Sequence, residues 1–281
     1  MCTKQPKEPF QRFINKAYIN ALKDSKLNLL ACGYVDLFSI HNHWNYDRVS
    51  IPYWCLYWNR KPGALIKLGQ RQIALKSSSI VLIAPHTVFS TYNQGHGNQL
   101  FIHFQIITPH INLKPQAYVI PVISYLKTLL QKIILVLRHN EPASWQFSLL
   151  SRALVELALS HIVDRNLHLP VIDPHIQKAI THLETHFKSN VSNATLAHQS
   201  GISLSAFMRL FKSQIGHSPH NYLMLKRIEK ACIMLHYSET SIKQIAEDTG
   251  FCDRYHFSRI FRRCQGISPA EFRRNNFNPF K

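Results

Sequence analysis

The feature that most constrains this 281-residue chain is a pattern that occurs twice near its end. The first copy runs Leu196-Ala197, Gly201, Phe207, Arg209, Phe211, Gly216, Ser218-Pro219 and Tyr222. The second runs Ile245-Ala246, Gly250, Phe257, Arg259, Phe261, Gly266, Ser268-Pro269 and Phe272. The offset is 49 residues from Gly201 to Gly250 and 50 from Phe207 to Phe257, so the turn of the second copy holds one extra residue. Each copy reads as helix, turn at glycine, helix, stop at glycine. That is the sequence form of a helix-turn-helix, whose second helix can lie in a DNA major groove.

In the second copy Ser241 and Gln244 have capping-box spacing, which predicts a helix from about Ile242. Gly250 supplies the positive φ that turns the chain, and Asp253 caps the next helix. Helical spacing there points Phe257, Ile260, Phe261 and Cys264 inward, leaving Arg254, Tyr255, Ser258, Arg259 and Arg262 on a basic outer face without an acid. In the first copy Ser203 is the cap. Phe207, Leu210 and Phe211 point inward, and Ser205, Met208, Arg209 and Lys212 outward. Between the copies, Pro219 to about Tyr237 reads as one helix with Tyr222, Leu225, Ile228, Ala231 and Leu235 on a face. Nineteen helical residues span about 28 Å. Successive major grooves lie about 34 Å apart, so two modules on such a spacer can enter adjacent grooves.

With these motifs in view, residues 174–275 resemble the DNA-binding domain of the AraC/XylS family of bacterial transcription regulators. The stretch from Ile245 to Phe251, then Phe257-Ser258-Arg259-Ile260-Phe261 and Gly266-Ile267-Ser268-Pro269-Ala270-Glu271-Phe272-Arg273, carries the resemblance. It implies that Ser205, Met208 and Arg209 of one helix and Arg254, Tyr255 and Arg259 of the other touch bases and phosphates of double-stranded promoter DNA. Ser205 and Met208 depart from the larger polar or aromatic residues of some relatives, which implies looser base reading by the first module.

Composition agrees. Thirty-three Lys and Arg face 15 Asp and Glu, a formal charge of +18, and such a chain seeks polyanions. The charge is spread out: net +8 from Pro174 onward and net +10 before it, with Lys4, Lys7, Arg12, Lys16, Lys23 and Lys26 among the first 26 residues. The longest apolar runs, such as 133–137, are too short for a membrane span, and the start lacks a signal-peptide stretch. Cys2, Cys32, Cys55, Cys232, Cys252 and Cys264 form no C-x-x-C pair, which predicts reduced thiols in a cytoplasm and argues against an alkyl-transfer repair module.

A proline-bounded connection at 165–173 separates this domain (174–281) from what precedes it, and Asp173-Pro174 opens its first helix, with Ile176, Ile180, Leu183 and Phe187 on the buried face. Upstream, Tyr53–Trp58, Ala64–Leu68, Ile80–Ile83 and Leu100–Phe104 read as strands of a small β-barrel or jelly roll. Helices are expected over about 120–138 and 143–163. The first carries an apolar stripe, Leu126, Leu129, Leu130, Ile133, Ile134 and Leu137, to be buried on the barrel, the second helix or a second subunit.

This order is similar, more loosely, to the sensing half of the same family. The resemblance implies an α+β chain: an arm or helix at 1–28, a cupin-like effector-binding barrel at 29–118, dimerisation helices at 119–164, and a C-terminal all-α domain of two helix-turn-helix modules joined by a long helix. Phe89 stands where metal-binding cupins carry a histidine, and His41 and His43 do not fit that pattern, so no metal and no cofactor are expected. The effector implied is a small polar molecule of the sugar class, for which Trp54, Trp58, Arg60, His41, His86, Tyr92 and His103 are the candidates. Alternation puts Trp54, Leu56 and Trp58 on one face of a strand and Cys55 and Tyr57 on the other, without saying which is inside.

The expectation is a cytoplasmic, effector-responsive, homodimeric transcription regulator or activator, with RNA polymerase a further possible partner and no catalytic residues. One alternative is a regulator of the same type without a small ligand, controlled by a protein partner or by its concentration. The enzymatic rival, a DNA-tethered oxygenase or isomerase, needs a metal triad or catalytic pair at credible spacing, which the sequence lacks.

Overall fold

The computed structural model describes residues 26–36, 44–94, 97–107, 114–138, 145–162 and 172–275. The 1–25 segment and most of the 165–173 connection lie outside them, as do His41 and His43. The N-terminal region contains β1 (Lys26–Asp36), β2 (Tyr46–Val49), β3 (Trp54–Asn59), β4 (Ala64–Leu68), β5 (Arg71–Leu75), β6 (Ser79–Ile83), β7 (Phe89–Asn93), β8 (Asn98–Ile107) and β9 (Ala117–Pro121). A five-stranded sheet has the order β1-β8-β3-β6-β9 and a four-stranded sheet the order β2-β7-β4-β5, with antiparallel pairing throughout. Among the described residues no ladder joins the two sheets, so the described strands form a two-sheet sandwich, in keeping with the jelly-roll alternative, and a closed cupin-like barrel is not seen among them.

The alternation along β3 now has a direction. Cys55 and Tyr57 enter the core between the sheets, with Val81, Ile83 and Phe101 of the large sheet and Ile66, Leu75 and Phe89 of the small one. Trp54, Leu56 and Trp58 point to the opposite face, against Leu82, Ile102 and Phe104 and the helices α1 (Ser124–Arg138) and α2 (Trp145–Ser160). Leu126, Leu130, Ile133 and Ile134 of α1 are buried there, so the sheet and α2 absorb most of the apolar stripe and a second subunit is not needed to cover it. Helix α1 starts later than its apolar pattern suggests because Ile120 is taken by β9, where it pairs with Ile80.

The C-terminal domain is helical: α3 (Pro174–Thr185), α4 (Asn193–Ser200), α5 (Leu204–Ile215), α6 (Pro219–Tyr237), α7 (Ile242–Asp248), α8 (Arg254–Gln265) and α9 (Pro269–Asn275). Its punctuation is chemical. Side chains of Asp173, Ser192, Ser203, Ser218, Ser241 and Asp253 each accept a hydrogen bond from a backbone N–H in the first turn they cap. Two apolar cores flank α6. One gathers Ile180, Leu183, Leu196, Phe207 and Phe211 around Leu223, and the other gathers Ile245, Phe257, Ile260, Phe261 and Phe272 around Ile228, Ala231, Cys232 and Leu235. Cys264, expected inward, is exposed: it sits in the last turn of α8, and α9 packs Phe272 on Phe261 one turn earlier.

Arg227, 1% exposed in the middle of α6, fixes the two modules to each other. Its guanidinium donates to the carbonyls of Phe187, Lys188 and Ser189 and to Asn190 Oδ1, at 2.7 to 3.2 Å. That same turn meets the second module at Gly250, whose φ is +83° and where a Cβ would lie 2.6 Å from the Lys188 carbonyl oxygen. Only glycine satisfies both conditions. Among the described residues no helix is long and apolar enough to cross a membrane.

Candidate nucleic-acid interface and the domain junction

Helix α8 is held by its apolar side, with Phe257 and Phe261 buried, and presents Arg254, Tyr255, Arg259 and Arg262 to solvent. Tyr255 is 86% exposed, far more than an aromatic ring with a structural role requires. Arg263 is exposed as well, and Ser258 is half-buried at the margin. The carboxylate of Asp253 is engaged in capping, and the backbone N–H of His256 (2.7 Å) is the main cause of a carboxyl held below its usual range. The acid nearest the basic face therefore serves the helix end. In α5, Ser205, Arg209 and Lys212 are exposed. Met208 is half-buried and packs on the first core, so it is less free to reach outward than its helical position implies. One hydroxyl and two cations thus stand exposed on α5, against three arginines and a tyrosine on α8.

The far end of α6 docks on the sandwich. Ile233 and Tyr237 pack against the core between the sheets. Tyr53 Oη bonds His236 Nδ1 at 2.7 Å, and His103 Nδ1 bonds Tyr237 Oη at 2.5 Å. Tyr57 Oη completes the chain on His103 Nε2 at 3.2 Å. Burial first, and the neighbouring His236 second, push the His103 imidazole well below its ordinary value. It is therefore neutral, with one ring nitrogen donating and the other accepting.

Beside this latch lies a cleft of about 290 Å³ with walls from both parts of the molecule. The sandwich supplies Pro52, Tyr53, Trp54, Pro85, His86 and Gln105, and the helical domain supplies Glu184, Phe187, Tyr222, Lys226, Glu229 and Lys230. Tyr53 belongs to both the cleft and the latch. Two of the four charges here are matched to each other, Lys226 Nζ lying 3.0 Å from Glu229 Oε2, and Tyr222 Oη donates to Glu184 Oε1 at 2.7 Å.

The effector candidates named from sequence do not meet in one pocket. Trp54 and His86 reach this cleft, Trp54 stacking on Phe104 behind it. Trp58 and Arg60 line a separate groove beside α1. His103 is buried in the latch, Tyr92 is exposed on β7, and His41 lies outside the described residues. The residues of α3 and α6 that wall the cleft were missed. Their signal was a polar strip, Lys226, Glu229 and Lys230, on a helix read only for its apolar face. Among the described residues no group of three His, Cys, Asp or Glu could hold a metal ion.

Residues 196–275 match the helix-turn-helix domain family. The chain is 34% identical over 91 residues to the probable transcriptional regulator LumQ of Photobacterium leiognathi, covering 32% of this chain and 37% of that protein. It is 39% identical over 101 residues to the HTH-type transcriptional activator RhaS of Escherichia fergusonii, covering 36% of each. Identity to the arabinose operon regulatory protein of Escherichia coli K12 is 32% over 112 residues, 40% of this chain and 38% of that one. These relatives are regulators, not enzymes, and the chain spans little more than a third of their length. The crystal structure of ToxT from Vibrio cholerae O395 bound to (E)-4-(8-methylnaphthalen-1-yl)but-3-enoic acid superposes with a TM-score of 0.51 at 14% identity, over 90% of this chain and 99% of that one, a likeness of fold. The C-terminal domain is thus a DNA-binding domain of the AraC/XylS type, joined to an N-terminal β-sheet region.

Proposed function

We propose that the protein is a sequence-specific transcription regulator that binds double-stranded promoter DNA through α5 and α8 and responds to a small polar effector. The observation that carries the DNA reading is the exposed Arg254, Tyr255, Arg259 and Arg262 face on a helix locked from behind by Phe257 and Phe261. Arginines fork onto guanine O6 and N7, and the aromatic ring reaches thymine methyls or the backbone. Arg209 and Lys212 serve the second groove, with phosphate contacts outweighing base contacts there.

The effector's place is the cleft between sandwich and helices, not the inter-sheet core, which Tyr53, Tyr57, Phe101 and His103 fill. Pro52, Pro85 and Trp54 offer flat apolar surface, and the paired Glu184, Lys226 and Glu229 accept and donate without demanding a net charge. Such a site suits a neutral, hydroxyl-rich molecule of the sugar class. A ligand touching both walls, and Tyr53 of the latch, binds the docked and undocked arrangements differently, which is what an effector must do. The sandwich stands in the role of a cupin-like sensor. Trp145, 83% exposed, and Leu149 one turn on form an apolar edge on α2 for a homodimer contact.

Linkage tests the pairing of the two activities. Effector and DNA must change each other's affinity by the same factor, read by calorimetry for the effector and by anisotropy for the DNA. Equal affinities with and without the other ligand would remove the effector from the account, leaving a regulator governed by a protein partner or its own concentration.

A further inference from the structure

A second concavity, of about 500 Å³, lies between α1 and the large sheet and shares no lining residue with the cleft at the domain junction. Its chemistry is different. Arg60, the residue just after β3, and Lys127, in the first turn of α1, both line it, and no acid does. Neither cation is ion-paired with a carboxylate among the described residues. Ser77 and Ser78, in the turn before β6, and Gln131, one turn beyond Lys127, add neutral donors. The remaining wall is apolar: Val122, Leu130, Ile134, Leu135 and the ring of Trp58. Trp58 has its one polar atom occupied, Nε1 donating to the Ser77 carbonyl at 3.1 Å, so it presents only hydrocarbon.

We propose that this groove is a second ligand site and that it takes a small organic carboxylate with a compact apolar body. Two like charges sharing one concavity repel, and an anion between them turns that repulsion into two charge-assisted contacts. A planar guanidinium matches a carboxylate in bidentate fashion, the ammonium adds a point charge, and the hydroxyls take up remaining lone pairs. The apolar wall opposite gives the body of the ligand a surface that inorganic anions cannot use. The charge-balanced cleft at the domain junction and this unbalanced groove therefore select different molecules. The site stands on its own geometry and does not depend on the DNA-binding reading.

The test uses the full chain labelled with 15N at its four tryptophan indoles, the Trp58 signal being assigned by its loss in Trp58→Phe. Cyclohexanecarboxylate, its neutral amide and inorganic phosphate are titrated at constant ionic strength. The expected result is a saturable shift of the Trp58 signal with the carboxylate, weakened about tenfold in Arg60→Gln and again in Lys127→Gln, with the amide and phosphate far weaker. Unchanged thermal midpoints show that the two variants are folded. The proposal is overturned by absence of a saturable Trp58 shift in the millimolar range. It is equally overturned by an undiminished response in both variants, by equal binding of the amide or of phosphate, or by a shift confined to the Trp54 signal, which would put the anion in the other cleft.

Discussion

Arg259 and Tyr255 stand one turn apart on the exposed side of α8, with no carboxylate on that side to neutralise the arginine. Replacing Arg259 by alanine is expected to cost about 1–3 kcal/mol on the preferred site and much less on random duplex, measured by anisotropy on both. Equal losses on the two would make it a phosphate contact instead. Gly250 and Gly216 separate two effects that sequence alone merges. Both have φ near +80°, but a Cβ at Gly216 meets nothing within 4 Å, whereas at Gly250 it meets the Lys188 backbone at 2.6 Å. Gly216→Ala is expected to lose about 1–2 kcal/mol from the left-handed backbone alone. Gly250→Ala should lose clearly more, about 2–4 kcal/mol, because backbone cannot give way as a flexible side chain can. Urea unfolding of the two variants gives the order, and equal losses would show that the turn of the first module yields freely.

At the scale of elements, α6 is both spacer and clamp. Its 19 residues carry Leu223 into one core, Leu235 into the other, and Arg227 into the turn between α3 and α4. Arg227→Met keeps the apolar stem of the side chain and removes every donor. It is expected to destabilise by about 2–3 kcal/mol, below the sum of its lost bonds because water can reach the exposed 188–189 turn. Denaturant unfolding measures the loss, and a neutral result would reduce Arg227 to filler. These helices were legible in the sequence because each is announced locally: Ser241, Asp253, Gly250 and Gly266 act within a few residues of where they stand. The sandwich was half legible. Its central strands β3, β6 and β8 are apolar runs, but β2 (Tyr-Asp-Arg-Val) and β7 (Phe-Ser-Thr-Tyr-Asn) are strands by virtue of their partners, not their composition. The junction was not legible at all. Tyr53 and His236 are 183 residues apart, and His103 and Tyr237 are 134 apart, so no local pattern links them.

The whole molecule joins a reader to a sandwich through a neutral, buried histidine. The His103 imidazole is surrounded by Tyr53, Tyr57, His236 and Tyr237, with no carboxylate among these neighbours to favour the charged form. Its value in the folded protein lies below the unfolded value of about 6.5, so the unfolded chain binds more protons in the window beneath that pH. Its contribution is complete above about pH 6.5 and is lost as the pH falls below it. The thermal midpoint should therefore drop between about pH 7.5 and 5.5 and drop less in His103→Gln; identical profiles would remove His103 from the junction's energetics. Whether one chain reads two grooves is decided by selection from a random duplex library with the 281-residue chain. The expected result is a bipartite motif whose two elements lie about one helical turn apart, roughly 10–10.5 base pairs. Arg259→Ala should blur the stronger element and Arg209→Ala the weaker. Enrichment of a single uninterrupted element insensitive to Arg209, or no enrichment at all, would contradict it.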